Sequence, residues 1–286
     1  MNKLGVHAAV FAGGWSAPDC DSTVSRARAC GFDVVEIPVF EPDTLSPAAT
    51  RQALQRHDMQ ATCSVGLPFD ADLASDDDAV SAAGERYLLA ALDFAAAIGS
   101  TYLGGVIYGA FGKHSRPPTP AGRDNAAGAL RRVARRALDH GITLGLETVN
   151  RYESNLLNTA AQTREFIAEV GAANIAVHLD TYHMNIEEDD MARAVADSAG
   201  ALGYVHLGES HRGALGTGTV DFAAVFAALR EIGYDGVMTF ESFSSRVVSP
   251  GLSSTLAVWR DTWDDPDATA ASARRFIASA LAPAGD

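Results

Sequence analysis

The sequence predicts a single (β/α)8 barrel with a C-terminal helical tail. Along its 286 residues, eight strand-like runs alternate with helix-like segments, and no obvious linker interrupts the alternation. Four of these runs end on a carboxylate or an imidazole, and the four groups follow one another at intervals of about 26–35 residues. That interval accommodates one strand, one helix and two loops. The same alternation also allows a doubly wound open sheet, which is the alternative fold.

The eight predicted strands are short apolar runs, mostly rich in β-branched residues and bounded by Gly, Pro or Asp. They are VHAAV (6–10), DVVEI (33–37), ATCSV (61–65), YLGGVIY (102–108), ITLGLE (142–147), IAVHLD (175–180), YVHL (204–207) and VMTFE (237–241). If all eight are parallel, the four polar groups lie at strand carboxyl ends, where loops build the sites of such barrels.

Apolar residues at helical spacing predict helices between the strands. The clearest helix covers residues 221–233, where Asp221 can cap the amino end and Gly233 can end the helix. Its apolar stripe consists of Phe222, Val225, Phe226 and Leu229. A helix, a glycine and then a strand recur before the second, fourth, fifth and eighth strands, which is typical of repeated βα units.

Two segments and the tail exceed what a minimal barrel needs. Residues 68–80 follow the third strand and residues 109–122 follow the fourth, so we expect both to wall a substrate pocket on the face that carries the polar groups. The tail from Pro250 carries Trp259 and Trp263 before a last helix. We expect these tryptophans to pack over a barrel end or against a partner subunit.

Composition indicates a globular cytoplasmic protein. Hydrophobic residues make up 47% and charged residues 20%, and no apolar run approaches the roughly 18 residues that a membrane span needs. The amino-terminal residues read as a first strand rather than a signal peptide. A net charge of −14 disfavours nucleic acid as a partner, because phosphate binding depends on basic side chains. Cys20, Cys30 and Cys63 are widely spaced, which predicts reduced thiols rather than disulfides or a zinc finger.

The four polar groups at the predicted strand ends form a candidate metal site. They are Glu147, Asp180, His206 and Glu241. Three carboxylates and one imidazole favour Mn²⁺, Mg²⁺ or Co²⁺ over an ion that demands thiolates, and they leave positions open for substrate oxygens. Gly145 lies on the same strand face as Glu147 and is expected to leave room beneath it.

Each of these groups also has an ordinary structural interpretation. Glu147 and Glu241 can be structural or surface glutamates, Asp180 can cap the helix that begins near Tyr182, and His206 can be a core histidine. Four such coincidences at successive strand ends are much less probable than any one of them, which favours the metal site.

Long motifs around these groups resemble those of the ketose 3-epimerases, which include D-tagatose, D-allulose and L-ribulose 3-epimerases. The motifs are LETVNRYESNLLNT, HLDTYHMNIEE, GYVHLGESHRGALGTGTVDF and GYDGVMTFESFS. The resemblance implies one xylose-isomerase-like TIM-barrel domain over residues 1–286, with the barrel in about 3–248 and the tail in about 249–286. It also implies a homodimer or homotetramer that epimerises free ketoses at C3 through a cis-enediolate.

The resemblance further implies specific roles for individual residues. One divalent metal per subunit, Mn²⁺ with Co²⁺ or Mg²⁺ as alternatives, would be held by Glu147, Asp180, His206 and Glu241. Glu147 and Glu241 would be the catalytic acid/base pair. The substrate-binding residues would be Glu153, His183, Arg212 and the apolar Phe243.

The substrate-binding positions also have ordinary interpretations. Glu153 can be a loop carboxylate, His183 an exposed loop histidine, and Arg212 a surface partner of Glu209. The glycine-rich LGTGTV reads as a turn before the Asp221 cap rather than a phosphate loop. Further plausible pocket linings are His7, Phe11, Trp15, Ser64 and residues 109–116.

Three other functions remain possible on sequence alone. The first is another sugar isomerase on the same scaffold, such as a hydroxypyruvate or inosose isomerase-like enzyme or an aldose–ketose isomerase. The second is an endonuclease IV-like repair enzyme, which the charge of −14 disfavours. The third is a noncatalytic sugar-binding barrel, which does not account for the two glutamates.

Overall fold

The predicted (β/α)8 barrel with a C-terminal helix is confirmed. A computed structural model describes residues 2–282, in which eight parallel strands pair in chain order and the sheet closes between the eighth and the first. The strands are β1 Leu4–His7, β2 Val34–Pro38, β3 Gln60–Leu67, β4 Tyr102–Ala110, β5 Thr143–Glu147, β6 Ile175–Asp180, β7 Leu202–Leu207 and β8 Val237–Phe240. Because β1 pairs with β8, the open doubly wound sheet is wrong.

Ten α-helices lie within residues 2–282. They are α1 Ala17–Ala29, α2 Pro47–His57, α3 Asp78–Ile98, α4 Pro120–Asp139, α5 Ala160–Val170, α6 Thr181–Glu187, α7 Met191–Asp197, α8 Phe222–Glu231, α9 Pro250–Thr255 and α10 Pro266–Leu281. Each begins after a Ser, Thr or Asp whose side chain accepts a backbone N–H of the first turn. The predicted helix at 221–233 is confirmed as α8, with Asp221 as its cap and Gly233 at a φ of 66° after its end.

The first strand is shorter than its sequence predicts. Only Val6 and His7 of the predicted run belong to β1, and Ala8–Val10 form a short 3₁₀ helix. The His7 side chain causes the difference, because its Nδ1 accepts the backbone N–H of Ala9 at 3.2 Å and caps that turn.

The barrel interior below the strand ends is polar and filled. The Tyr204 hydroxyl lies 2.7 Å from Thr62 Oγ1 and 2.6 Å from Thr239 Oγ1, and Tyr204 stacks on Tyr102. The expectation that Gly145 leaves room beneath Glu147 is wrong, because the Tyr102 hydroxyl occupies the position of a Gly145 Cβ. The glycine makes space for the tyrosine of the neighbouring strand rather than for a ligand.

The tail closes part of the carboxyl end of the barrel, as one of the two sequence expectations proposed. Trp263 is buried, and its Nε1 donates a hydrogen bond to Ser242 Oγ at 2.7 Å, just beyond β8. Trp259 is 72% exposed in the single chain, so its predicted contact with a partner stays a prediction. Helix α10 packs against α8 and β8. None of the helices in residues 2–282 is both long and apolar enough to cross a membrane.

Candidate active site

The four predicted metal ligands lie together at the carboxyl end of the barrel. Glu147 and Asp180 are the last residues of β5 and β6, His206 is the penultimate residue of β7, and Glu241 follows β8. Asp180 and His206 are register partners across β6 and β7. All four side chains are buried. Their positions at the ends of four consecutive strands therefore bring these polar groups into one cluster shielded from solvent.

The Nδ1 atom of His206 is the centre of this cluster. It lies 3.4 Å from Glu147 Oε1, 3.5 Å from Glu241 Oε1 and 3.8 Å from Asp180 Oδ2. Within the group Asp180, His206 and Glu241, the candidate ligand atoms lie within 4.8 Å of one another. Three carboxylates therefore approach one imidazole nitrogen, and Glu147 also forms groups of this kind with Asp180 and His183 and with His178 and His206.

Two unsatisfied atoms show that this cluster fits a divalent cation. Asp180 caps α6 through Oδ1, which accepts the Tyr182 N–H at 2.7 Å, whereas its buried Oδ2 has no hydrogen-bond partner among residues 2–282. His206 Nδ1 likewise has none in that part of the chain. Leaving a buried polar atom unsatisfied costs about 1–3 kcal/mol. An oxygen-rich set with one imidazole suits a hard or borderline divalent ion, so the cap and ligand interpretations of Asp180 are compatible.

The electrostatics of the cluster are compatible with a bound cation. Burial raises the pKa of Glu147 and Asp180, and raises that of Glu241 well above its ordinary value with help from the neighbouring carboxylates. Burial lowers the pKa of His206, but the Glu36 and Glu241 carboxylates outweigh it and raise that pKa well above the usual range. A divalent cation would replace the protons that these groups otherwise hold.

Glu153, His183 and Arg212 surround the cluster and are buried, so none of them is a surface residue. Glu153 and Arg212 lie in loops, and His183 lies in α6. Arg212 Nη2 donates a hydrogen bond to Glu153 Oε1 at 2.7 Å, and Arg212 Nη1 lies 3.6 Å from Glu241 Oε2. His183 Nε2 lies 3.8 Å from both Glu147 and Asp180. All three therefore border the same space as the candidate ligands.

The Arg212 guanidinium is clamped between two rings. It lies 4.0 Å from the Tyr182 ring centroid and 5.0 Å from that of Phe243. The backbone of Arg212 adopts a φ of 57°, and its carbonyl accepts the Phe243 N–H at 3.2 Å. Pairing with Glu209 is wrong, because that carboxylate instead accepts loop N–H groups, including those of Ser210, Gly216 and Val220.

A small cavity opens onto the cluster. The candidate residues lining it are Glu147, Glu153, His183, His206, Arg212, Glu241 and Phe243. His7, Ser64 and Phe111 also line it, in agreement with their predicted placement. Phe11 and Trp15 are core residues instead, and the Trp15 indole donates to Thr50.

The two long loops contribute mainly to a second, outer cavity that adjoins this one at Phe40, Gly66, Phe111 and Leu252. Phe69 of the first loop and Gly112 and Lys113 of the second border the outer cavity, whereas Phe111 borders both. The expectation that residues 109–122 wall the pocket is thus confirmed at Phe111. Of residues 68–80, Pro68, Phe69 and Asp70 border the outer cavity, and none borders the inner one among the residues that the structure describes.

Sequence reasoning missed three buried residues of this region. Glu36 in β2 lies 2.8 Å from His206 Nε2, and His178 packs edge-on against His206 with ring centroids 4.2 Å apart. Asn150 donates to both Glu153 and His183. The available signal was a charged or polar residue inside an otherwise apolar strand, as in DVVEI and IAVHLD.

The fold and the buried carboxylate–imidazole cluster define a class of protein. Residues 24–279 match the family described as Xylose isomerase-like TIM barrel. The ketose 3-epimerase of Arthrobacter globiformis is 47% identical over 279 residues, which cover 98% of this chain and 96% of that protein. The L-ribulose 3-epimerase of Methylomonas sp. (strain DH-1) is 47% identical over 275 residues, covering 96% of each.

A solved structure agrees with these relatives. The D-allulose 3-epimerase from Methylomonas sp. in complex with D-allulose superposes with a TM-score of 0.96 at 46% identity, covering 98% of this chain and 97% of that one. The chain belongs to the xylose isomerase-like TIM barrel family and, within it, to the ketose 3-epimerases. The resemblance inferred from the sequence motifs is confirmed.

Proposed function

We propose that this chain is a metal-dependent enzyme that epimerises free ketoses at C3. The observation that carries the proposal is the approach of two buried glutamates, Glu147 and Glu241, to one nitrogen of His206, at 3.4 and 3.5 Å. They come from β5 and from the end of β8, three strands apart in the barrel order. Membership of the ketose 3-epimerases supports the same reaction.

Two buried carboxylates at the ends of separate strands suit proton removal and return at a carbon. The C3 proton of a ketose is weakly acidic because the C2 carbonyl can accept the resulting charge. In the proposed reaction one glutamate removes this proton, and the other returns a proton to the opposite face of the cis-enediolate.

The proposed metal is Mn²⁺, with Co²⁺ or Mg²⁺ as alternatives, held by Glu147, Asp180, His206 and Glu241. A bound divalent cation would supply Lewis-acid stabilisation of the negative charge on the substrate oxygens. The hard oxygen donors of the site support these ions over Zn²⁺ bound by cysteine.

His183 and Arg212 are proposed to hold the substrate oxygens. His183 Nδ1 accepts the Asn150 N–H at 3.1 Å, so the ring proton lies on Nε2 and can be donated to a sugar oxygen. Burial, followed by the charge of Arg212, lowers the pKa of His183 well below its ordinary value and keeps the ring neutral. The buried Arg212 Nε, which has no acceptor within residues 2–282, offers another donor. The hydrogen bond to Glu153 fixes the orientation of the Arg212 guanidinium, and the Phe243 ring packs against it.

The lining of the inner cavity supports an unphosphorylated substrate. Arg212 is the only Lys or Arg among its described lining residues, and it is already paired with Glu153 and close to Glu241. A phosphate would require additional basic donors.

Subunit association and compartment belong to the same proposal. A homodimer or homotetramer is part of this proposal, and the exposed Trp259 is the residue that we expect at a subunit contact. A cytoplasmic location is supported by cysteines that are free at all three positions.

The reaction is tested by supplying the Mn²⁺-loaded protein with D-fructose, D-allulose, D-tagatose and L-ribulose, and separating the products by chromatography. The proposal expects the C3 epimer of at least one ketose and no aldose. Aldose formation without C3 inversion would instead identify an aldose–ketose isomerase on this scaffold. Turnover of hydroxypyruvate or an inosose in place of free ketoses would identify the other isomerase alternatives.

A further inference from the structure

A carboxylate outside the four proposed ligands contacts one of them inside the barrel. Glu36 in β2 is 1% exposed, and its Oε2 lies 2.8 Å from His206 Nε2, although the residues are 170 positions apart in sequence. The opposite ring nitrogen of His206 is the one that faces Glu147, Asp180 and Glu241.

This contact determines which nitrogen of His206 carries a proton. An ionised carboxylate only accepts hydrogen bonds, so the proton of a neutral His206 ring must lie on Nε2. Nδ1 then presents its lone pair to the carboxylate cluster, and a cation requires such an unprotonated nitrogen. Without Glu36, the ring could hold its proton on Nδ1 or rotate.

Within residues 2–282, His206 is the closest hydrogen-bond partner of Glu36. Its Oε1 accepts no hydrogen bond from residues 2–282, and the nearest imidazole on that side, His7, has its Nε2 at 3.9 Å. The neighbouring Tyr204 hydroxyl lies at hydrogen-bond distance from Thr62 and Thr239. Burying a carboxylate with one hydrogen bond costs stability, and its contact with His206 accounts for its presence.

We infer that Glu36 is a positioning residue that fixes the tautomer and ring orientation of His206 for metal binding. This inference rests on the proposed metal-dependent function. It assigns to Glu36 no contact with the substrate or with the metal itself.

Two substitutions separate the hydrogen bond from the charge. Glu36→Asp keeps the charge but withdraws the carboxylate from Nε2 by one methylene. Glu36→Gln removes the charge but keeps an oxygen that can accept the Nε2 proton. Thr62→Val is the matched control, because Thr62 is the register partner of Glu36 on β3 and its side chain bonds to Tyr204 rather than to His206.

The measurement is the Kd for Mn²⁺ by titration calorimetry, with folding checked by circular dichroism in EDTA. Glu36→Asp should weaken Mn²⁺ binding by roughly 10–100-fold, Glu36→Gln should weaken it less, and Thr62→Val should stay within about twofold of the original chain. The inference is overturned if Glu36→Asp binds like the original chain, or if Glu36→Gln loses more affinity than Glu36→Asp.

A second measurement decides the question even if Glu36→Asp does not fold. Nitrogen-15 NMR of the original chain in EDTA, at a pH where His206 is neutral, should find the His206 proton on Nε2, and a proton on Nδ1 would overturn the inference. The metal is left out because coordination at Nδ1 would itself place the proton on Nε2. Metal binding is measured without turnover. A chain that binds Mn²⁺ as expected but epimerises no ketose would therefore refute the proposed reaction and leave the role of Glu36 standing.

Discussion

Arg212 Nη2 donates a hydrogen bond to Glu153 Oε1 at 2.7 Å, and both side chains are buried. The pair brings a fixed positive charge to within 3.6 Å of Glu241. Arg212 is thereby oriented toward the space in which negative charge would develop on a substrate.

We predict that Arg212→Ala lowers kcat/KM by roughly 10²–10³-fold, the usual effect of removing one donor to a developing charge. Arg212→Lys should also be strongly impaired, because the single ammonium of a lysine cannot replace a planar guanidinium whose several N–H groups contact Glu153 and the substrate at once. Steady-state kinetics on the preferred ketose, with metal content measured for each variant, test this. Arg193→Ala, at an arginine side chain that is 78% exposed, is the control. Near-normal turnover by metal-loaded Arg212→Ala would remove Arg212 from the site.

Chelation should abolish activity, and added Mn²⁺ or Co²⁺ should restore it. The physical reason is that three buried carboxylates approach one imidazole nitrogen, with Asp180 Oδ2 and His206 Nδ1 unsatisfied within residues 2–282. Metal bound only by the folded site should also raise Tm. The measurements are activity and thermal melting before and after dialysis against a chelator. Full activity in metal-free protein would contradict the metal requirement.

The stabilisation by Mn²⁺ should grow as the pH rises. In the metal-free protein, burial raises the pKa of Glu147, Asp180 and Glu241. A group whose pKa is raised by folding stabilises the folded state below its ordinary pKa, and this stabilisation is lost as the pH rises through the raised value. We therefore expect the Tm increase on adding Mn²⁺ to be larger at about pH 8 than at about pH 5.5. Melting curves at both pH values test this, and an equal or smaller increase at the higher pH would contradict it.

Free ketoses should be preferred to their phosphate esters. The described lining of the inner cavity contains one basic side chain, Arg212, which Glu153 already engages. Comparing kcat/KM for D-fructose and D-fructose 6-phosphate tests the prediction. A large preference for the phosphate ester would show that other basic residues reach the substrate.

Much of the fold and the positions of the candidate ligands could be predicted because they depend on local patterns. Alternating apolar runs, glycines after helices and polar residues at strand ends are visible without coordinates. Asp180 and His206 could be placed side by side because adjacent parallel strands end at the same edge. The roles of these residues remain predictions.

What could not be predicted depends on contacts between distant parts of the chain. Glu36 has no visible link to His206 across 170 residues, and Tyr102 fills the space beside Gly145 from a neighbouring strand. Glu153, His183 and Arg212 were identified by resemblance rather than by periodicity, because they lie outside the strands in segments whose course tertiary contacts determine.

The central claim is that Glu147 and Glu241 act as two bases on opposite faces of the sugar. In such a site each glutamate exchanges the C3 proton of one epimer, so losing one should stop interconversion and leave exchange on the other face. Glu147→Gln and Glu241→Gln are the test variants. Metal occupancy must be confirmed for both, since each residue is also a proposed ligand.

The most direct measurement is deuterium uptake at C3 in D₂O, followed by NMR for each epimer with each metal-loaded variant. The two-base account predicts exchange without epimerisation, in opposite epimers for the two variants. Interconversion of the epimers at a near-normal rate by either metal-loaded variant would contradict it, because a single mobile base or a water molecule would then carry the proton.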